Sequence, residues 1–250
     1  MSRLSTLAAA LLAAALGTAA GAFTVVIDPG HGGHDPGAEA QGVREAHLVL
    51  SMAERLAAEL QGPGVTVHLT RHDDSFVSLD DRVDIARAHG ADLLVSLHAD
   101  ALVDGRAAGL SVYSFDPARG DWADAARRSE VAEGAWIAGA ATEGLDDQTG
   151  AVLMRLARDR TTARTAQLSQ RLTEAFRAHD LRLAGRPERQ KGFAVLRAAE
   201  VPSVLIELGF LSSDRDRARL TSPDWQARAV RAMAEAITTW RDDAASDFDG

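Results

Sequence analysis

At 250 residues, 46% of them hydrophobic, the chain is long enough to bury one sizeable core. Its 36 acidic against 27 basic residues give a net charge of −9, which argues against nucleic acid or an anionic membrane surface as the main partner. There is no cysteine, so disulfides and thiolate metal sites are excluded, and any metal must be held by histidine and carboxylate.

Residues 1–22 combine Arg3, an alanine-rich apolar run from Leu4 to Leu16 and the small residues Ala20-Gly-Ala22, the three-part pattern of a secretory signal. Cleavage after Ala22 is expected, with export to the periplasm or the cell exterior and a domain beginning at Phe23. No later apolar run reaches the ~18 residues of a membrane-spanning helix, so no membrane contact is expected after cleavage.

The β-branched run from Thr24 to Ile27 enters Asp28-Pro-Gly and then His31, the grammar of a buried strand meeting a tight turn. Open α/β sheets bind ligands beyond the carboxyl ends of their strands, so His31 is a candidate site residue, and His34 is close enough to line the same place. Arg44 to Leu60 reads as a helix, with Leu48, Met52, Leu56 and Leu60 on one face and Gly62-Pro-Gly ending it. Glu45 in its first turn is either a helix-start charge favoured by the dipole or a site carboxylate. Val65 to Thr70 is the next strand, Ser78 to Asp81 opens a helix with a capping box, and Asp92 to His98 is a third strand ending in a second rim histidine. Alternating strands and helices at this spacing predict a single α/β domain, residues 23–240, with a mostly parallel or mixed central sheet flanked by helices. Arg71 and Arg82 are expected to pair with Asp73 or Asp84.

After a strand at Leu110 to Phe115 the pattern changes, and residues 116–190 are expected to form a helical insertion. Asp116 to Gly150 holds eight acidic and three basic residues, whereas Ala151 to Arg189 holds nine arginines and four acidic residues, with a helical stripe at Leu168, Leu172 and Phe176. Strands are expected again at Gly192 to Leu196 and Ser203 to Leu208, then helices at Asp214 to Leu220 and Asp224 to Trp240, and an acidic tail at 241–250. Glu207 lies in an apolar run that reads as a central strand, where an ionised carboxylate costs several kcal/mol unless paired or metal-bound. It is either half of a buried ion pair or a site residue. With His31, Glu45 and His98 it makes up the parts of a hydrolytic zinc site: two imidazoles, one ligating carboxylate, an open position and a free carboxylate as general base. The spacing alone, without a compact signature, leaves that reading open.

The blocks Val26-Ile-Asp-Pro-Gly-His-Gly-Gly33 with Gly37-Ala38, Arg44-Glu45, Thr70-Arg71 with Leu79 and Arg82, Ser96-Leu-His-Ala-Asp100 and Val204-Leu-Ile-Glu-Leu-Gly-Phe-Leu211 resemble the zinc-dependent N-acetylmuramoyl-L-alanine amidases of the AmiC type. The resemblance spans nearly all of residues 23–240. It implies one zinc ion on His31, Glu45 and His98, Glu207 as the catalytic carboxylate, and peptidoglycan as substrate. It also implies that the acidic stretch, through Glu133, Glu130 or Glu143, can plug the zinc until an activator protein acts on the insertion. A zinc exopeptidase on free peptides and an inactive wall-binding module are the alternatives.

Overall fold

The computed structural model describes residues 22–101, 108–116 and 147–246. Eight strands are present among the described residues: β1 (Phe23–Pro29), β2 (Glu39–Ala40), β3 (Val43–Arg44), β4 (Val65–Leu69), β5 (Leu93–His98), β6 (Leu110–Phe115), β7 (Leu183–Lys191) and β8 (Ser203–Glu207). The helices are α1 (Glu45–Leu60), α2 (Leu79–Ala88), α3 (Asp147–Ala178), α4 (Asp214–Leu220) and α5 (Pro223–Ser246), with a 3-10 turn at Ala194–Leu196. No helix among the described residues is long and apolar enough to cross a membrane.

Six strands form one sheet in the order β4-β1-β5-β8-β6-β7. The first four are mutually parallel, β6 runs antiparallel to β8, and β7 pairs parallel with β6. Strands covered on both faces read as continuous hydrophobic runs. In β1, Val25 and Ile27 point into the larger core with α1, α3 and α5, while Val26 points to the other face, against Val83 and Ala86 of α2. The stripe Leu168, Leu172 and Phe176 is fully buried in the larger core. Because β1, β5 and β8 all end on one rim, three consecutive sheet positions deliver their last residues to a common place.

Three sequence expectations need correction. Leu183 to Lys191, placed in the helical insertion, is an edge strand of the main sheet, and α3 is a core helix of the domain. Its mostly exposed Leu-Ala-Gly-Arg-Pro-Glu-Arg-Gln-Lys sequence lacks the apolar alternation of a strand, and Pro187 is tolerated because an edge strand leaves N–H groups unpaired. Gly192 to Leu196, read as a strand, forms the 3-10 turn instead, with Val195 and Leu196 packed beside Val83 and Ala86. Short apolar runs do not by their pattern separate these choices. At the other end, α5 continues past Trp240 to Ser246, into the expected tail.

Candidate metal centre

The loop that carries His31 is held by two buried arginines. Arg71 donates to the carbonyls of Pro29 at 2.9 Å, Gly30 at 2.8 Å and Ala46 at 2.8 Å. Arg82 donates to the carbonyls of Pro29 and His31, each at 2.8 Å, and forms a buried ion pair with Asp28 at 2.5 Å. Asp28 also accepts from the hydroxyls of Thr70 at 2.6 Å and Ser96 at 2.7 Å. The expected pairings differ: Arg82 meets Asp28 rather than Asp84, and Arg71 reaches the backbone carbonyl of Asp73, not its carboxylate. Partners 54 residues apart are invisible to local spacing. These bonds hold His31 at φ 61°, the left-handed region that a non-glycine residue occupies only when its surroundings over-determine it.

From that position His31 Nε2 lies 3.1 Å from Glu45 Oε1, and its Nδ1 lies 2.8 Å from Asp35 Oδ2. Helix α1 begins at Glu45 without a side-chain cap, because the N–H groups of Glu45 and Ala46 donate to the carbonyls of Ala38 and Pro36. The helix start therefore sits against the His31 loop. Glu45 is 1% exposed; its Oε1 accepts from Ala99 N–H at 2.8 Å and its Oε2 from Ala38 N–H at 2.8 Å. A solvated helix-start charge would not be buried this way. His98 closes the set, with Nδ1 3.2 Å from the same Glu45 oxygen and its ring edge-on to His31 at 4.9 Å between centroids. One donor atom from each of His31, Glu45 and His98 lies within 4.8 Å of the others, so the three can hold a metal ion.

Glycine is required beside this cluster. A Cβ on Gly30 would meet the His98 ring at 2.3 Å, and one on Gly37, itself at φ 66°, would meet Glu45 and His31 at 2.7 Å. Burial alone would lower the His31 pKa, but hydrogen bonds to Glu45 and Asp35 outweigh it and raise it to about 9. Burial would likewise raise Glu45, yet hydrogen bonds from His31 and His98 hold it well below the usual carboxylate range.

Glu207 ends β8 and sits in register with His98 on one side and Ser111 on the other. It is 6% exposed and accepts from Asp100 N–H at 3.2 Å. Burial pushes its carboxyl up to about 7, against the opposing pull of His98 and the Asp100 N–H. No lysine or arginine among the described residues forms an ion pair with it, and the positive group that acts on it is the imidazole of His98 in the neighbouring strand. His34, three residues after His31, has its ring 4.1 Å from that of Phe76. Of the other histidines, His47 pairs with Asp74 at 3.1 Å, His68 stacks on His89 and His179 pairs with Glu235. Asp35, which orients His31, went unassigned in the sequence, although its place four residues after His31 in the same glycine-rich loop was a usable signal.

The family described as N-acetylmuramoyl-L-alanine amidase matches residues 25–239. The amidase AmiA of Escherichia coli K12 is 34% identical over 222 residues, 88% of this chain and 76% of its own length. AmiC of Neisseria meningitidis serogroup B is 32% identical over 216 residues, 85% of this chain and 51% of its own length. Among solved structures, AmiC2 of Nostoc punctiforme superimposes with a TM-score of 0.61 at 29% identity, covering 89% of this chain and 98% of that one. An amidase of Clostridium difficile 630 gives 0.64 at 25% identity, covering 88% and 97%. The family match takes in every residue of the rim cluster, and on that ground the chain belongs to the N-acetylmuramoyl-L-alanine amidase family.

Proposed function

We propose that the protein is a peptidoglycan hydrolase that cleaves the amide between N-acetylmuramic acid and L-alanine, with one zinc ion held by His31, Glu45 and His98 and with Glu207 as the catalytic carboxylate. The observation that carries the reading is the three-donor cluster with a fourth, buried carboxylate one strand away. Two imidazoles and one carboxylate with room for water form the donor set of hydrolytic zinc sites. Bound there, zinc would supply a Lewis acid and a water whose pKa falls from ~15.7 to about 7.

The protein's own groups do the rest. Asp35 fixes the His31 ring by accepting at Nδ1, which leaves Nε2 to face the centre. Glu45 is locked by two backbone N–H groups, so the ligand carboxylate needs no reorganisation. Glu207, buried at its strand end opposite His98, can take a proton from the attacking water and return it to the nitrogen of the departing L-alanine. A zinc exopeptidase has no comparable support from the family match. Export through a cleaved signal, residues 1–22, belongs to this proposal, because the substrate lies outside the cytoplasm.

The test is digestion of purified sacculi by the zinc-loaded protein. Release of peptides with a free L-alanine amino terminus, abolished by chelation and restored by zinc, is the expected result. Peptides cut only within the stem would sink the reading.

The proposed inhibitory role of Asp116 to Gly150, net −5, also belongs here. Glu130, Glu133 and Glu143 lie outside the described residues. Support for the plug rests on the charge of the segment and on the cationic centre it would cover, with an activator protein as the releasing partner.

A further inference from the structure

Phe76 and Leu79 are 45% and 50% exposed, two of the four large hydrophobic side chains that are exposed among the described residues. Single exposed hydrophobics are ordinary; the setting of Phe76 is not. Its segment packs directly on the glycines that follow His31. A Cβ on Gly32 would meet the carbonyl oxygen of Ser75 at 2.2 Å, and one on Gly33 would meet the Phe76 nitrogen at 2.9 Å. Gly33 N–H donates to Asp74 at 3.3 Å, Arg71 donates to the Asp73 carbonyl at 2.7 Å, and Ser75 N–H donates to the Asp73 carboxylate at 2.9 Å. The Phe76 ring is tilted by 42° against that of His34. An exposed aromatic is thus presented from an anchored loop, and it starts only two residues' reach from His31, on the order of 10 Å.

We propose that Phe76, backed by His34, forms an aromatic ledge that binds a sugar ring of the glycan strand next to the scissile amide. This rests on the amidase reading, under which one side of the bond carries a sugar and the other a stem peptide. The ledge suits the sugar. The apolar C–H face of a pyranose ring packs on an aromatic ring, while its hydroxyl and acetamido groups need hydrogen-bond acceptors around the rim. Residues 72–81 contain Asp73, Asp74, Asp80 and Asp81 and no lysine or arginine. Arg44 and His47 pair with Asp74 and Arg197 with Asp80, whereas no lysine or arginine among the described residues forms an ion pair with Asp73 or Asp81, Arg71 acting on Asp73 only from a distance. The carboxylates of a stem peptide would be repelled there, and neutral sugar hydroxyls would not.

The test uses the full chain carrying Glu207→Gln, so that binding is read without turnover, and a β-1,4-linked tetramer of N-acetylglucosamine as the probe. Calorimetry or NMR titration is expected to show tetramer binding that Phe76→Ala weakens about tenfold and Phe76→Trp preserves. A stem peptide lacking sugar should bind Phe76→Ala and the parent equally. Absence of tetramer binding, or equal tetramer affinity in a Phe76→Ala protein with parental melting temperature, overturns the ledge. An effect of Phe76→Ala confined to the stem peptide overturns it as well. With Glu207 intact, Phe76→Ala should raise KM on sacculi more than it lowers kcat. Failure of the amidase reading looks different: the zinc-loaded parent would leave sacculi uncut while the tetramer still bound in a Phe76-dependent way.

Discussion

His98 and Glu207 are the last residues of adjacent parallel strands and stand opposite each other in register, so one sheet rim presents an imidazole of the candidate metal centre and a buried carboxylate side by side. Parallel pairing places these two neighbours at equivalent ends of their strands; an antiparallel pair would have sent them to opposite ends of the sheet.

Removing one ligand should empty the centre. His98→Ala is expected to lose zinc on dialysis, and Asp35→Ala, which frees the His31 ring without deleting a ligand, to weaken zinc binding about 10- to 100-fold. Metal analysis against a competing chelator decides this, and parental zinc content in His98→Ala would refute the ligand assignment.

Glu207→Gln should keep zinc and lower kcat by about 10²- to 10⁴-fold. Its stability effect follows from the raised carboxyl pKa of about 7. The folded state holds that proton more tightly than the unfolded chain, so the destabilisation is absent below the ordinary carboxylate range, grows as the pH rises from there to about 7, and is constant above. In protein stripped of metal, Glu207→Gln should therefore be more stable than the parent at pH 8 by about 3 kcal/mol, and the difference should shrink towards pH 4. Urea titrations at both values measure it.

His31 titrates in the opposite sense. Its pKa is raised from 6.5 to about 9, so in stripped protein its stabilising contribution is full below 6.5 and is lost as the pH rises through 9. Zinc needs the neutral ring, and its affinity should climb across the same window as the competing proton leaves. A zinc affinity flat between pH 6.5 and 9 would contradict this.

Arg82→Met leaves Asp28 buried without its cation and frees the His31 carbonyl. A loss of about 3 to 5 kcal/mol is expected, since breaking a buried pair strands a charge. Asp28→Asn combined with Arg82→Met should recover part of it. Equal stability of the single and double variants by chemical denaturation would show that the pair is not coupled.

Deleting Asp121 to Gly150 should increase dye release from labelled sacculi in the absence of any partner protein, and Glu133→Ala should reproduce part of that gain. If the deleted protein folds, retains zinc and is no faster than the parent, the segment is no inhibitor.

Residue pattern alone determined much of this molecule. The apolar runs of β1, β5 and β8 announce strands buried on both faces, and the leucine stripe of α1 and the Ser78 cap of α2 mark crossover helices, because burial and capping are local demands on local sequence. The placement of His31, His98 and Glu207 at one rim was legible for the same reason: His98 and Glu207 end such runs and His31 follows one by two residues. Glu45 was ambiguous, since a first-turn carboxylate has a reason to exist on any helix. Only the fold buries that carboxylate between two histidines and two backbone N–H groups, which supports the ligand reading. The long-range pairing of Arg82 with Asp28, the edge strand β7 and the packing of the Phe76 segment on the glycine loop were likewise settled by tertiary packing. Their partners are distant in sequence, and an exposed edge strand or an anchored aromatic leaves no periodic trace in the chain that forms it.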